Sequence, residues 1–436
     1  ILEEDRRRLV RWYEEHYDRG ARVELRRDAA LDPADRRVTA VFRIEEEPHR
    51  FAGRVDVTGN LRTRDRVVRA DLKVVPGAPL TDLGVRESEA RLARRRLYDP
   101  EKSAITVPAS GEVRDIEVRV KEERAGLLGL SGGVAASLGE GEIASLSLVQ
   151  PNFDLLALPG PRRPWRDAFS GGGQLLELEF APGTRQSEFL LRFEEPYLYN
   201  TRHSLSLLGA TRLYERHGYD ETRLRGEATV GRHWGGARRL ATRLGYVVED
   251  VNVADVSAVS VPDVAEARGH TLLAYPTLRL SWRELRHDPY SGPRGFAVEA
   301  LGDASLRATG SEGSFLRAQL SADHWQPVTA WLNALLPGEP LSEWRGLEHV
   351  LRLGAGFGWA EGVEGDELPI FERFFLGGPR SVRGFDYRGI GPAAREVRLG
   401  GEAFLRGTVE YSFPLAIREL RAVALFDVAE VEPELG

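Results

Sequence analysis

The chain contains no cysteine and no methionine in 436 residues. Without thiols there is no disulfide framework, no thiolate nucleophile and no cysteine-ligated metal, a composition that suits an oxidising compartment. Lysine is nearly missing as well: Lys73, Lys102 and Lys121 are the only ones, so arginine carries almost all the positive charge. Lysine and arginine total 60 against 67 acidic side chains, a formal charge of -7, which argues against a nucleic-acid binder held by electrostatics. No apolar run is long enough for a transmembrane helix. That absence leaves a transmembrane β-barrel open, because barrel strands alternate and never produce long apolar runs. The chain starts at Ile1 without a methionine, so its N-terminus reads as cut, and the lack of a signal peptide carries no information about location.

What is present divides the chain near residue 124. Before that point lie all three lysines and the helical patterns. Leu9, Trp12, Tyr13, His16 and Tyr17 recur at helical spacing, and strand-like runs at 21–27 and 37–47 follow, joined by the turn DPAD. A second unit begins with the alternating FAGRVDVTGN (51–60). The spacing of Val67, Val68 and Leu72 predicts a helix over 63–72, PGAP (76–79) breaks it, and a longer helix over 81–98 carries Val85, Leu92 and Leu97 on its apolar side. SAITV (103–107) and EVRDIEVRVKEE (112–123) read as strands, with Val113, Ile116, Val118 and Val120 as the apolar members after one slip. The order strand, helix, helix, strand, strand makes 49–124 a complete small α+β domain and 1–48 the last elements of a preceding copy.

From 125 to 436 the texture changes to short alternating segments separated by Gly, Pro, Asp and Arg clusters. QLLELEFA (174–181) sets Leu176, Leu178 and Phe180 against Glu177 and Glu179, and EFLLRFEE (188–195) sets Phe189, Leu191 and Phe193 against Glu188, Arg192 and Glu194. LRLGAGFGWA (351–360) sets Leu351, Leu353, Ala355, Phe357 and Trp359 against Arg352 and glycines. A polar face of arginine, glutamate and glycine over many strands fits a wide barrel with lipid outside and a polar lumen. Alternation alone leaves a large soluble β-protein open. Thirteen candidate strands fall near 127–136, 142–149, 173–181, 187–195, 203–212, 222–232, 238–248, 271–282, 295–304, 314–323, 347–360, 402–413 and 421–431. An odd count is awkward for a closed bacterial barrel, and VEPELG ends the chain without an aromatic strand. The C-terminus therefore also reads as cut, with closing strands missing.

No catalytic constellation rises above these patterns, and the chain does not read as an enzyme. GLSGG (129–133) matches Gly-x-Ser-x-Gly, but a nucleophile elbow needs a strand, a sharp turn and a helix, and strand-like sequence follows Gly133. The nine histidines are scattered, with no HExxH and no ligand pair at helical spacing, so neither a metal nor another cofactor is expected.

Between the eleventh and twelfth candidate strands, residues 361–400 form a long connection containing GGPRSVRGFDYRGIGP (377–392). Loops of such length are usually functional or disordered. Gly377, Gly378 and Gly384 allow backbone conformations closed to other residues and close approach to a wall. Val382 and Phe385 stand beside Arg383, and inside a protein such a guanidinium needs carboxylates. The next strands offer Glu410, on the polar face of FLRGTVEYSFP (404–414), and Asp427, between Phe426 and Val428. A surface salt bridge is the plain alternative for Arg383. A phosphate cradle is disfavoured, because neither a Gly-Lys-Ser/Thr ending nor a helix follows.

FFLGGPRSVRGFDYRGIGP (374–392), with its core Val382, Arg383, Gly384 and Phe385, resembles the inward-folded loop of the BamA/TamA-type outer-membrane protein assembly factors. VDVTGN (55–60), the helix pair and IEVRVKEE (116–123) resemble that family's POTRA domain directly before the barrel. The resemblance implies a fold class of small α+β POTRA domains followed by a transmembrane antiparallel β-barrel, sixteen-stranded in the family. On this chain it would place the end of one POTRA domain at 1–48, a complete one at 49–124 and the barrel, short of its last strands, at 125–436. It further implies assembly and insertion of β-barrel proteins into the outer membrane, with the POTRA domains in the periplasm. The partners would be unfolded outer-membrane proteins, outer-membrane lipids and accessory assembly lipoproteins. Arg383 would be the lumenal anchor, with Glu410 and Asp427 as its acidic partners. A TamA-type factor or a two-partner secretion translocator of the same superfamily stays open, as do, from other classes, a passive porin and a soluble β-rich binding protein. Three departures stand out: Ala429 where the family usually has glycine, the long segment 151–171 where a short turn is normal, and the lack of the final strands, including the one that would form the lateral seam with 127–136.

Overall fold

The computed structural model describes residues 49–95, 97–109, 111–123, 129–137, 141–161, 163–234, 240–257, 261–288, 292–335, 348–394, 397–415 and 420–434, with 6, 9–10, 12–13, 21–26, 31–32, 37–38 and 41–46 before them. They form two compact units, Ile1–Gly129 with Val149–Leu176, and Leu130–Leu148 with Glu177–Gly436. At the start of the chain Leu9, Trp12 and Tyr13 are helical, while His16 and Tyr17 lie outside the described residues. Ala21–Arg26 pairs antiparallel with Val41–Glu46.

In the first unit, β1 (Phe51–Thr58), α1 (Asp65–Asp71), α2 (Asp82–Arg94), β2 (Ala104–Thr106) and β3 (Val113–Arg119) follow the expected order. The sheet order is β1-β3-β2, with β1 parallel and β2 antiparallel to β3. Thr81 caps α2 by accepting the Gly84 N–H at 3.0 Å, which fixes the start of the helix after the proline break. Val67, Val68 and Leu72 of the first helical segment and Leu92 of α2 close over Val55, Ile116, Val118 and Val120. Two expectations fail here: α2 ends at Arg94, so Leu97 reaches the core from beyond the helix, and Val113 is exposed. Alternation runs unbroken through Ile116, Val118 and Val120, so Val113 falls on the opposite face, and the irregularity sits in β1 between Ala52 and Val55.

Residues 149–176 belong to this unit and are docked on the start of α1. The Arg64 N–H donates to the Gly171 carbonyl at 2.9 Å, and Asn152 both donates to Thr63 Oγ1 at 2.9 Å and accepts the Gly173 N–H at 2.9 Å. Gly173 has φ 72°, and a Cβ there would meet Val67 Cγ1 at 2.5 Å, so only glycine permits this approach. Arg95 donates to Asp71 at 2.6 Å and to the Gly173 carbonyl at 3.0 Å, tying the end of α2 to α1 and to the docked segment.

The second architectural element is one sheet of thirteen strands in chain order: β4 (Gly129–Ser137), β5 (Gly141–Phe153), β6 (Gln174–Ala181), β7 (Gln186–Glu195), β8 (His203–Arg216), β9 (Tyr219–Trp234), β10 (Leu240–Ala254), β11 (Gly269–Asp288), β12 (Gly292–Ser305), β13 (Phe315–Pro327), β14 (Val350–Gly362), β15 (Ala403–Pro414) and β16 (Arg421–Glu432). The registers from β7 to β16 are antiparallel throughout. Leu224, Val230, Leu244, Tyr246, Leu278, Trp282, Leu353, Phe357, Leu405 and Val409 line an exposed apolar face. The alternate positions carry arginine and carboxylates in cross-strand pairs, the pattern of a membrane barrel with a polar interior.

Because Asp71 is almost fully buried against Arg95, Asp71→Ala leaves a guanidinium without its carboxylate. The expected loss is about 3–5 kcal/mol, measured as earlier unfolding of residues 51–119 by hydrogen exchange in urea.

Candidate functional site

The strands that build the site are joined by register. Glu188 faces Arg212, Arg225 faces Glu249, Asp303 faces Arg317 and Arg352 faces Glu410 as direct cross-strand partners. Each pair closes as an ion pair, at 2.8, 3.2, 2.7 and 3.0 Å in that order. Against this inner face lies the segment between β14 and β15. A cluster of Val247, Val251, Leu273, Tyr275, Phe315 and Ala360 on the strands receives Leu368, Ile370, Phe371 and Phe374 of that segment. Gly358 of β14 makes room for it: a Cβ there would meet the Phe404 ring at 2.2 Å and Phe374 at 3.0 Å.

The glycine-rich loop 377–392 brings its predicted residues together with Glu410 and Asp427. Arg383 places Nε 2.7 Å from Asp427 Oδ2 and Nη2 2.7 Å from Asp427 Oδ1, a bidentate fork, and its own backbone N–H donates to Oδ2 at 2.9 Å. Its Nη1 donates to Glu410 Oε1. Thr408 Oγ1 donates to Asp427 at 2.9 Å, and Arg352 donates to the other oxygen of Glu410 at 3.0 Å and to Asp323 at 2.8 Å. The result is a continuous chain Asp427, Arg383, Glu410, Arg352, Asp323 across four strands. Hydrogen bonds to Asp427 above all, with help from Glu410 and against the cost of burial, hold the guanidinium pKa above its ordinary value. Val382 is buried with Leu376 and Val431 in a small cluster against which Ala429 packs, so the alanine that departs from the family pattern is absorbed as an apolar contact.

The remaining motif residues divide. Gly377 has φ 113° and a Cβ there would strike the Asp386 carbonyl at 2.3 Å, so it is needed on both conformational and steric grounds. Gly378 and Gly384 have φ 97° and 87°, but Gly384 has open space around it, so its requirement is conformational alone. Phe385, expected beside the guanidinium as an apolar neighbour, is exposed.

A second anchor escapes the sequence motif because it lies just before it. Glu372, in a short turn of 3₁₀ helix (Ile370–Glu372), is 3% exposed and accepts from Arg223 Nη1 at 3.0 Å and from Arg317 Nη1 at 2.5 Å. Arg223 also donates to the Phe371 carbonyl and to Glu221 at 2.6 Å. Arg373 pairs with Asp263 at 2.6 Å. The signal was present in FERFF (371–375), a charged pair inside an aromatic run. Nucleophile-elbow geometry is absent at 129–133, which is strand.

Two substitutions separate the anchors. Asp427→Asn removes the charge that Arg383 faces, and about 3–5 kcal/mol of local stability should go with it; loss of heat modifiability on detergent gels and new proteolysis within 377–392 are the readout. Glu372→Gln leaves Arg223 and Arg317 without their shared carboxylate and should raise hydrogen exchange over 368–375 while leaving 377–392 protected. Equal exposure of both stretches in either variant would show one cooperative plug rather than two anchors.

Comparison with known proteins places this arrangement. A family profile described as the Omp85 superfamily domain matches residues 169–433. The outer membrane protein assembly factor BamA of Neorickettsia risticii is 24% identical over 407 residues, covering 91% of this chain and 49% of that protein. Among solved structures, BamA from Haemophilus ducreyi lacking POTRA domains 1-3 superposes with TM-score 0.63 at 18% identity, over 99% of this chain and 80% of that one. CdiB from Acinetobacter baumannii superposes with TM-score 0.53 at 11% identity, over 94% and 67% of the two chains. This chain spans about half the length of the curated relatives it matches. With a matched domain covering most of the sheet and BamA-like sequence along nearly the whole chain, the protein belongs to the Omp85 superfamily.

Proposed function

We propose that this chain assembles and inserts β-barrel proteins into the outer membrane. In this reading residues 125–436 supply the barrel, 49–124 is a POTRA domain in the periplasm and 1–48 is the end of another. The observation that carries it is the double carboxylate lock on Arg383, at the loop position where the assembly factors carry their Val-Arg-Gly-Phe/Tyr core. A loop fixed to the inner wall occupies space that an open pore would need, which argues against a passive porin. A soluble binding protein would not leave the apolar face of the sheet exposed over so many strands.

The mechanism requires no covalent chemistry. In the first unit β2 is a three-residue edge strand beside a groove lined by Leu92, Ala93 and Ile105, where an extended client can add main-chain hydrogen bonds with little sequence demand. The β4 strand carries Gly129, Gly132 and Gly133 and stands at one edge of the sheet. Glycine weakens strand pairing, so a seam there opens at low cost and presents a template for client strands. Unfolded outer-membrane proteins are the partners, with outer-membrane lipids as the medium and accessory lipoproteins as additional subunits. The fold similarity to CdiB keeps a secretion translocator as the second reading, but the curated sequence similarity along the chain favours assembly.

Reconstitution of the full-length protein in liposomes tests this directly. Unfolded barrel clients should become heat-modifiable and protease-resistant in the membrane, and Arg383→Ala should slow that about tenfold, whereas Arg383→Asp combined with Asp427→Arg, the charge-swapped pair, should recover part of the loss. A cysteine pair sealing the β4 seam, within a 436-residue stretch that has no thiol of its own, should stop assembly until reduced. Clients delivered across the membrane instead of into it would decide for the translocator.

A further inference from the structure

A cavity of about 140 Å³ opens at the sheet end that carries the locked loop. Four guanidinium groups line it: Arg185 in the β6–β7 turn, Arg216 at the end of β8, and Arg388 and Arg398 from the β14–β15 connection. Among the described residues only one carboxylate lines it, that of Glu215; the neighbouring Glu221 is already divided between Arg216 at 3.3 Å and Arg223 at 2.6 Å. The fold holds these charges together. The Glu215 N–H donates to the Arg185 carbonyl at 2.8 Å, joining the two turns, and Gly218 sits against Val397, which sets Arg398 alongside. Arg216 lies 4.0 Å from the centre of the Tyr214 ring and donates to the Tyr387 hydroxyl at 3.4 Å.

Arg388 is the informative member. Its guanidinium lies over the Phe375 ring, 3.4 Å from the centre, and it makes no hydrogen bond or ion pair among the described residues. Its backbone φ of 57° is one that a non-glycine residue adopts at a cost. Burial first, and then the charge of Arg216, hold its pKa below the ordinary arginine value. A half-buried cation next to another cation, in an unfavourable backbone conformation and with no acceptor among the described residues, is a poor choice for stability alone. It is a good choice for a group that awaits an anion.

We propose that this cavity binds a phosphate ester. Guanidinium forks arriving from separate chain segments suit a tetrahedral group with three outward oxygens, whereas a flat carboxylate satisfies one fork. The volume takes the phosphate and the carbon it esterifies but no long chain. The cavity is lined from strand turns and the loop, so the ligand arrives from the aqueous side, either as a free phosphate ester or as a phosphorylated lipid headgroup reaching over the rim.

The test uses the full-length protein and two probes. In detergent micelles, glycerol 3-phosphate is titrated calorimetrically. In nanodiscs of phosphatidylcholine, with and without phosphatidic acid, the thermal stability of the barrel is recorded. Arg388→Gln and the exposed Arg398→Gln are compared with the parent; neither belongs to the Arg383 or Glu372 anchors. Each should weaken binding about tenfold, and added salt should weaken it further. Glycerol 3-phosphate binding that both variants impair identifies a soluble phosphate ester. Stabilisation by phosphatidic acid alone, lost in the variants, identifies a headgroup. No response to either probe, a response that survives both substitutions, or equal competition by acetate overturns the proposal. If Arg388→Gln disturbs heat modifiability, Arg398→Gln decides alone. The outcome is independent of the assembly reading, since client insertion is not measured.

Discussion

An arginine placed on the inside of a barrel cannot shed its proton, so the fold must bring it a carboxylate. In this chain that demand is met by strand register. Arg212, Arg225, Arg317 and Arg352 each face an acid on the next strand, and a slip of one residue would turn all of them toward lipid. The ladder therefore penalises every wrong alignment of the sheet. It also leaves spare acceptor capacity, because a carboxylate has two oxygens, and the long connection uses it: Glu410 serves Arg352 with one oxygen and Arg383 with the other. At the second anchor the roles reverse, and the connection supplies the acid, Glu372, to two strand arginines.

Apolar and ionic contacts divide the work on the connection. Burying Ile370, Phe371 and Phe374 against Val251, Leu273 and Phe315 provides attraction, roughly 1.5–3 kcal/mol for each large side chain removed from water. The ion pairs add little net stability once desolvation is counted, but each is costly to break from one side. A segment held this way has one position rather than many. That is the property required of an internal wall, and it explains why the buried charges are concentrated where the connection touches the strands.

Much of this was legible in the sequence. Thirteen alternating segments became thirteen strands, and their polar members became the inner ladder, because a two-residue period is directly visible along the chain. Arg383, Glu410 and Asp427 could be nominated because a guanidinium beside apolar residues needs acids and those two stood on the polar faces of the next strands, but it was the resemblance of 374–392 to an inward-folded loop that set a lumenal anchor above a surface salt bridge. Val113 misled because an apolar residue at a strand end satisfies the pattern without being covered. Glu372 was missed because its partners, Arg223 and Arg317, are more than fifty residues away, and only the folded sheet puts them side by side. The docking of 149–176 on α1 was equally invisible: it rests in part on backbone groups of Gly171 and Gly173, which carry no side-chain signature, and in part on Asn152, whose partner Thr63 is 89 residues away.

The distribution of lysine has a chemical consequence. All three side-chain amines of the chain, Lys73, Lys102 and Lys121, fall within the α+β unit, and the strand sheet has none. Reagents that acylate amines or bridge them with aldehydes would thus mark the small domain and pass over the sheet. Alkaline surroundings that would neutralise a lysine ladder leave a guanidinium ladder charged. The arginine-for-lysine composition thus gives the sheet an inner wall whose electrostatics neither acylation nor a rise in pH can erase.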